Sequence, residues 1–211
     1  MTREREHVKM MRGIFAVVVL LSLTVPAAAG NLDAAAVNDA ARPAKQPATD
    51  KVGASVVKLQ ILLDRAKFSP GEIDGKFGEN AQKALNAFAE QNGIAADKEI
   101  APELWDRLSA ASEGPVVVDY KITDADVKGP FLKELPPRLE QMKPLKALSC
   151  TSPLDGLAEK FHMSGELLKA LNPGKAFDKV GETITVANVP AHRSSSSMRR
   201  RNPRRSGRAA G

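Results

Sequence analysis

A single cysteine, Cys150, leaves this chain no way to form an internal disulfide. Histidine is nearly as scarce: His7, His162 and His192 fall at no zinc-ligand spacing, and no serine or cysteine triad assembles around them. The residues therefore offer no metal, no cofactor and no catalytic group. Long apolar runs are missing too. The longest, Ile14 to Val25, is shorter than the ~20 residues that span a bilayer and ends at Pro26. From Arg193 onward there is neither an acid nor an aromatic residue.

What is present is unevenly distributed. The terminal segment holds Arg193, Arg199, Arg200, Arg201, Arg204, Arg205 and Arg208, so a chain of net charge +6 sums to −1 without it, and to −3 once residues 1–29 are also set aside. The basic balance belongs to that end and not to a domain, which removes the charge argument for a nucleic-acid partner. Residues 191–211 read as a disordered Ser/Arg-rich tail suited to anionic wall polymers or lipid headgroups. The abrupt change of composition also fits out-of-frame residues.

At the amino terminus Arg3, Arg5, Lys9 and Arg12 precede the apolar run, and Ala27-Ala28-Ala29 follows it. This is the pattern of a secretory signal peptide over 1–29, cleaved after Ala29, with no cysteine placed to take a lipid. Residues 30–52 are alanine-rich and carry Pro43 and Pro47, so they are expected to be a flexible linker with too little apolar surface to offset ordering.

From 53 to 111 the pattern is helical. Leu59, Leu62, Leu63 and Ala66 share one face of a 3.6-residue period, as do Ala81, Ala84, Leu85 and Phe88. Asn92-Gly93 predicts a stop, and Pro102 predicts the start of a third helix carrying Leu104 and Leu108, with Ile100 just ahead. Between the first two helices, Asp74-Gly75 suits a tight turn. With Leu59-Gln60, the turn Ile73-Asp74-Gly75-Lys76-Phe77-Gly78, Phe88 and Leu104-Trp105, this segment resembles the type 1 peptidoglycan-binding domain. The resemblance implies a three-helix module that attaches to murein, with Asp74, Gly75, Phe77, Gly78, Phe88 and Trp105 as its candidate contacts. Ala89 and Lys98 depart from the family, which commonly has glutamine and glycine there.

Residues 112–144 read as a connector. Val118, Tyr120 and Ile122 alternate with polar partners, predicting a short strand, and Pro130, Pro136, Pro137 and Pro144 punctuate the stretch beyond it. In 145–190, Ser152-Pro153-Leu154-Asp155 opens one helix with Leu154, Leu157, Ala158 and Phe161 on a face, and Ser164 caps another with Leu167, Leu168 and Leu171. That second helix must stop at Asn172-Pro173-Gly174, ahead of a strand over Thr183 to Val186. Leu168-Lys169-Ala170-Leu171-Asn172-Pro173 gives the stretch its likeness to a divergent lysin motif, a βααβ glycan binder. By that resemblance the first strand falls near Leu145 to Cys150, and a groove runs between Thr151, Ser152 and Asp155 on one lip and Asn172, Pro173 and Gly174 on the other.

The order of these parts is similar to the front half of proteobacterial L,D-transpeptidases, whose catalytic cysteine sits in a Ser-x-Gly-Cys-x-Arg setting. Cys150 has neither that glycine nor that arginine. The fold expected is mainly α with a small α+β module and disordered termini. The function expected is that of a periplasmic, noncatalytic, monomeric peptidoglycan-binding protein without cofactors. The alternatives are a truncated or frameshifted transpeptidase, and an adaptor that recruits a cell-wall enzyme.

Overall fold

The computed structural model describes residues 32–43, 45–95, 100–129, 131 and 150–190; the expected signal peptide, the arginine tail, Lys98 and residues 132–149 lie outside them. The described chain is mostly helical. Its order is α1 (Ala34–Asn38), α2 (Ala54–Arg65), α3 (Glu79–Gln91), α4 (Pro102–Ala110), β1 (Val117–Lys121), α5 (Asp124–Lys128), α6 (Pro153–Lys160), α7 (Gly165–Leu171) and β2 (Thr183–Ala187). No described helix is long and apolar enough to cross a membrane.

Helix α2 is the hub of the first half. It buries Val56, Val57 and every residue from Leu59 to Leu63, which is most of its circumference and not the single stripe that its leucine spacing predicts. The reason is that α1, α3 and α4 all pack on it. Ala66 lies just past the helix as its C-cap. Helix α3 buries Ala81, Ala84, Leu85 and Phe88 as the periodicity predicts, and α4 begins at Pro102 and buries Leu104, Trp105 and Leu108. Each large apolar side chain so placed contributes about 1.5–3 kcal/mol.

Residues 32–43, inside the stretch expected to be a flexible linker, are tied to the fold. Asp33 caps α1 by accepting from the Ala36 amide at 2.8 Å, and Val37 is fully buried. Asn38 then completes the edge of β1 that faces away from β2. Its Oδ1 accepts from the amides of Val116 and Val117 at 2.8 and 3.0 Å, and its Nδ2 donates to the Val117 carbonyl at 3.1 Å. Lys58 ties down the helix end by donating to the carbonyls of Asn38 and Ala40. Composition underrates such a segment because one valine and one asparagine are enough when a strand edge supplies the partners. Asn38→Ala is expected to lower unfolding free energy by about 1–3 kcal/mol, since two amides lose their acceptor. A urea titration showing no change would mean that water replaces the side chain at this edge.

Strand β2 pairs antiparallel with β1, from Val117 opposite Ala187 to Lys121 opposite Thr183. The described partner of β2 is thus the strand expected in the connector; the first strand expected near Leu145–Cys150 lies, apart from Cys150, outside the described residues. Ser152 and Ser164 cap α6 and α7 through the amides of Asp155 and Leu167, and Pro153 occupies the first turn of α6.

Behind the sheet, Asp126 fastens α5 to α6. Lys160 Nζ donates to Asp126 Oδ1 at 2.8 Å and to the Tyr120 hydroxyl at 2.6 Å, while that hydroxyl and the Thr123 amide both donate to Asp126 Oδ2. Burial alone would raise the carboxyl, but the hydrogen bonds from Lys160, Thr123 and Tyr120 prevail and bring it from 3.8 down to about 2. A depressed acid stabilises the fold above its unfolded value and stops doing so as pH falls through its folded value. Asp126→Asn is therefore expected to remove about 1–2 kcal/mol near neutrality and to flatten the loss of stability between pH about 4 and about 2. An unaltered acid limb in guanidinium titrations would refute this.

The two halves are joined through backbone. Ile73, at the turn before α3, forms a parallel bridge with Met163: its amide donates to the His162 carbonyl at 2.8 Å and its carbonyl accepts from the Ser164 amide at 2.9 Å. Asp64 of α2 meets His162 Nδ1 at 3.2 Å, and Arg65 donates to the carbonyls of Asn188 and Pro115 at 2.7 and 2.6 Å. A single apolar core runs from Val37 through to Val189.

Candidate functional site

The turn between α2 and α3 is organised by a buried polar side chain. Gln60, 2% exposed, donates through Nε2 to Asp74 Oδ1 at 2.9 Å and to the Lys76 carbonyl at 3.2 Å, and its Oε1 accepts from the Gly75 amide at 2.8 Å. Asp74 also accepts from the Lys76 amide at 2.9 Å. Both lone-pair directions of Asp74 Oδ1 are thereby used inside the turn. Gly75 has φ +75°, a left-handed conformation that favours glycine, and its carbonyl accepts from the Gly53 amide. Gly78 caps α3 with ordinary backbone angles.

Residues 52–108 match the family model described as "Putative peptidoglycan binding domain". No curated protein matches the chain.

Within this matched segment the candidate contacts divide sharply. Phe77, Phe88 and Trp105 are 2%, 5% and 8% exposed, so they build the core and present almost no surface to a polymer. Phe88 stacks edge-on against Phe68 with ring centroids 5.3 Å apart, and Lys58 Nζ lies 5.9 Å from the Trp105 ring centre. Asp74 and Gly78, by contrast, line a cleft of ≈330 Å³ together with Glu72, Lys76, Glu79 and Asn80. Polar groups dominate that cleft, which suits hydroxyl, amide and amine partners. Glu72 and Asn80 escaped the sequence reading because neither belongs to the motif or to an apolar period.

The second set of candidates is not gathered into one groove. Thr151 donates its hydroxyl to the Asp155 carboxylate, and Ser152 accepts from the Asp155 amide at 3.2 Å, so these three form a helix cap. Asn172 is 7% exposed and turned inward: Nδ2 donates to the carbonyls of Leu168 and Thr185 at 2.9 and 2.7 Å, and Oδ1 accepts from the Thr185 amide at 2.6 Å. That side chain holds α7 on β2 and has no group to spare for a sugar. Pro173 and Gly174 are exposed beside it. Asp155 instead lines a cleft of ≈420 Å³ with Glu159 and Gly165, whose opposite wall is Gly71 and Glu72 of the peptidoglycan-binding domain.

Cys150 sits with Sγ 3.2 Å from Glu159 Oε2. Burial first, and the neighbouring carboxylates of Glu159 and Asp155 second, push its thiol up to about 11. A nucleophilic cysteine needs the opposite shift. Among the described residues no group of three His, Cys, Asp or Glu side chains is placed to hold a metal.

Proposed function

We propose that this chain is an exported, noncatalytic protein that attaches to peptidoglycan in the periplasm through residues 52–108. The observation that carries the reading is the family match over that segment, whose turn opens a polar cleft at the surface. The raised thiol of Cys150 supports a noncatalytic role. The basic leader and Ala27-Ala28-Ala29 support export. Within residues 145–190, the described order of α6, α7 and β2, with Ser152 and Ser164 as helix caps, supports a divergent lysin motif as a second contact with the same polymer.

The test is cosedimentation of the purified chain with isolated sacculi at raised ionic strength, where attraction between tail arginines and anionic wall polymers is screened. Saturable pelleting is expected, and charge reversal on the rim of the first cleft, at the exposed Glu79 (Glu79→Lys), should weaken it with little change in thermal stability. Failure of the unaltered chain to pellet would overturn the proposal.

A further inference from the structure

Glu72 lines two clefts at once. On one side is the ≈330 Å³ cleft of the peptidoglycan-binding domain, with Asp74, Lys76 and Glu79; on the other is the ≈420 Å³ cleft walled by Asp155, Glu159 and Gly165 of the second half. The two meet at that side chain and make one groove across the joint. Next to Glu72 in the chain, Ile73 is hydrogen-bonded through both backbone groups to His162 and Ser164, so the groove's walls are held in register by main chain.

The groove has a chemical bias. Its carboxylates, Glu72, Asp74, Glu79, Asp155 and Glu159, face one lysine, Lys76, and one histidine, His162. Asp74 is engaged with Gln60, Glu79 pairs with Lys83 at 2.7 Å, Asp155 is engaged with Thr151 and Ser152, and Glu159 with Cys150, while Lys76 also faces Glu166 at 3.7 Å. A concave surface lined mainly by one sign of charge concentrates ligands of the other.

We infer that the groove is one composite site for the peptide part of peptidoglycan, in which a free amino group on the peptide is held at Glu72 and the peptide chain passes Gly165. This rests on the wall-binding reading and names the portion of the polymer that is recognised. Both halves then grip one ligand, and neither half alone presents the whole site.

Gly165 supplies the means to test it. A Cβ there meets only Leu154, at 3.9 Å, which is ordinary contact, and its backbone is not left-handed, so this groove-lining position accepts a Cβ without strain. The experiment is titration calorimetry of the full chain with a soluble disaccharide tetrapeptide from the wall, its peptide amine free or acetylated. Sacculus pelleting is run in parallel, and melting curves are recorded for every variant. Gly165→Trp is expected to weaken binding about tenfold or more, and Glu72→Gln to bind the free and acetylated forms alike, where the parent prefers the free amine by about tenfold. Should Gly165→Trp melt early, Glu72→Gln, which is isosteric and exposed, decides alone. Persistent pelleting with no binding of the tetrapeptide, no preference for the free amine, or no effect of either variant would overturn the composite site and leave wall attachment standing. Loss of pelleting by the parent would instead remove the wall-binding reading.

Discussion

Gly75→Ala is expected to cost about 2–4 kcal/mol, the sum of a left-handed backbone imposed on an L residue and a methyl group forced into filled space. The added Cβ lies 2.7 Å from Val52 Cγ1 and 2.9 Å from Val57 Cγ2. Val52 is 46% exposed and free to swing away, whereas Val57 is fully buried on α2 and is not. Relief must therefore come from the turn itself, at the expense of the Gly75 bonds to Gln60 and Gly53. Gly78, three residues on in the same motif, makes the contrast: its φ is −82° and nothing lies within 4 Å of a Cβ there. Gly78→Ala should cost less than about 1 kcal/mol, the difference between glycine and alanine at an N-cap. Urea titrations at constant m-value measure both. Equal losses for the two glycines would show that the turn's conformation is not what demands glycine at 75. Loss of sacculus retention should follow the first substitution.

Asn172→Leu keeps the branched side-chain shape, at a larger volume, and removes three hydrogen bonds at once; it is expected to cost about 2–4 kcal/mol. The Thr185 amide and carbonyl point at Asn172 and away from β1, so leucine leaves both part-buried groups without their protein partner. Asn172→Asp is no remedy, since it keeps an acceptor for the Thr185 amide but aims a carboxylate at the carbonyls of Leu168 and Thr185. Both variants should unfold at lower denaturant. A loss under about 1 kcal/mol for either would mean that the strand finds other partners, and would free Asn172 for the glycan-facing role that the lysin-motif resemblance implies.

The helices were legible because their signals are local. Serine caps at 152 and 164, proline at 102 and 153, and the Asn92-Gly93 stop all act within one turn, and each helix begins or ends where they stand. The sheet was half legible. Alternation from Val118 to Ile122 marks a strand, but its mate lies beyond α7, and nothing local encodes a pairing across that distance. Asn38 was hidden for the same reason, since its three bonds all reach β1.

For the candidate site, the Ile73–Gly78 motif marks the turn that borders the cleft, where Asp74 and Gly78 line it, but not which neighbouring side chains join them. Aromatic residues in a motif are conspicuous, yet Phe77, Phe88 and Trp105 are where the core is. The groove is lined by Glu72, Glu79, Asn80 and Glu159, side chains that read in sequence as ordinary solvated charge. One clue was present: Gln60 interrupts a run of leucine and isoleucine on a helix that buries everything around it, and a polar residue in such a place has bonds to make.

The bridge between Ile73 and Met163 bears on how this molecule can be taken apart. A cut near residue 112 would strip Ile73 of both its backbone partners and bare the faces of α1 and α2 that β1 and Asn188 now cover. Truncations that isolate either half should aggregate before they report on binding. Neither half is an exchangeable cassette; a swap with a foreign module must carry the turn, the His162–Ser164 segment and the 32–43 strap as one inherited piece.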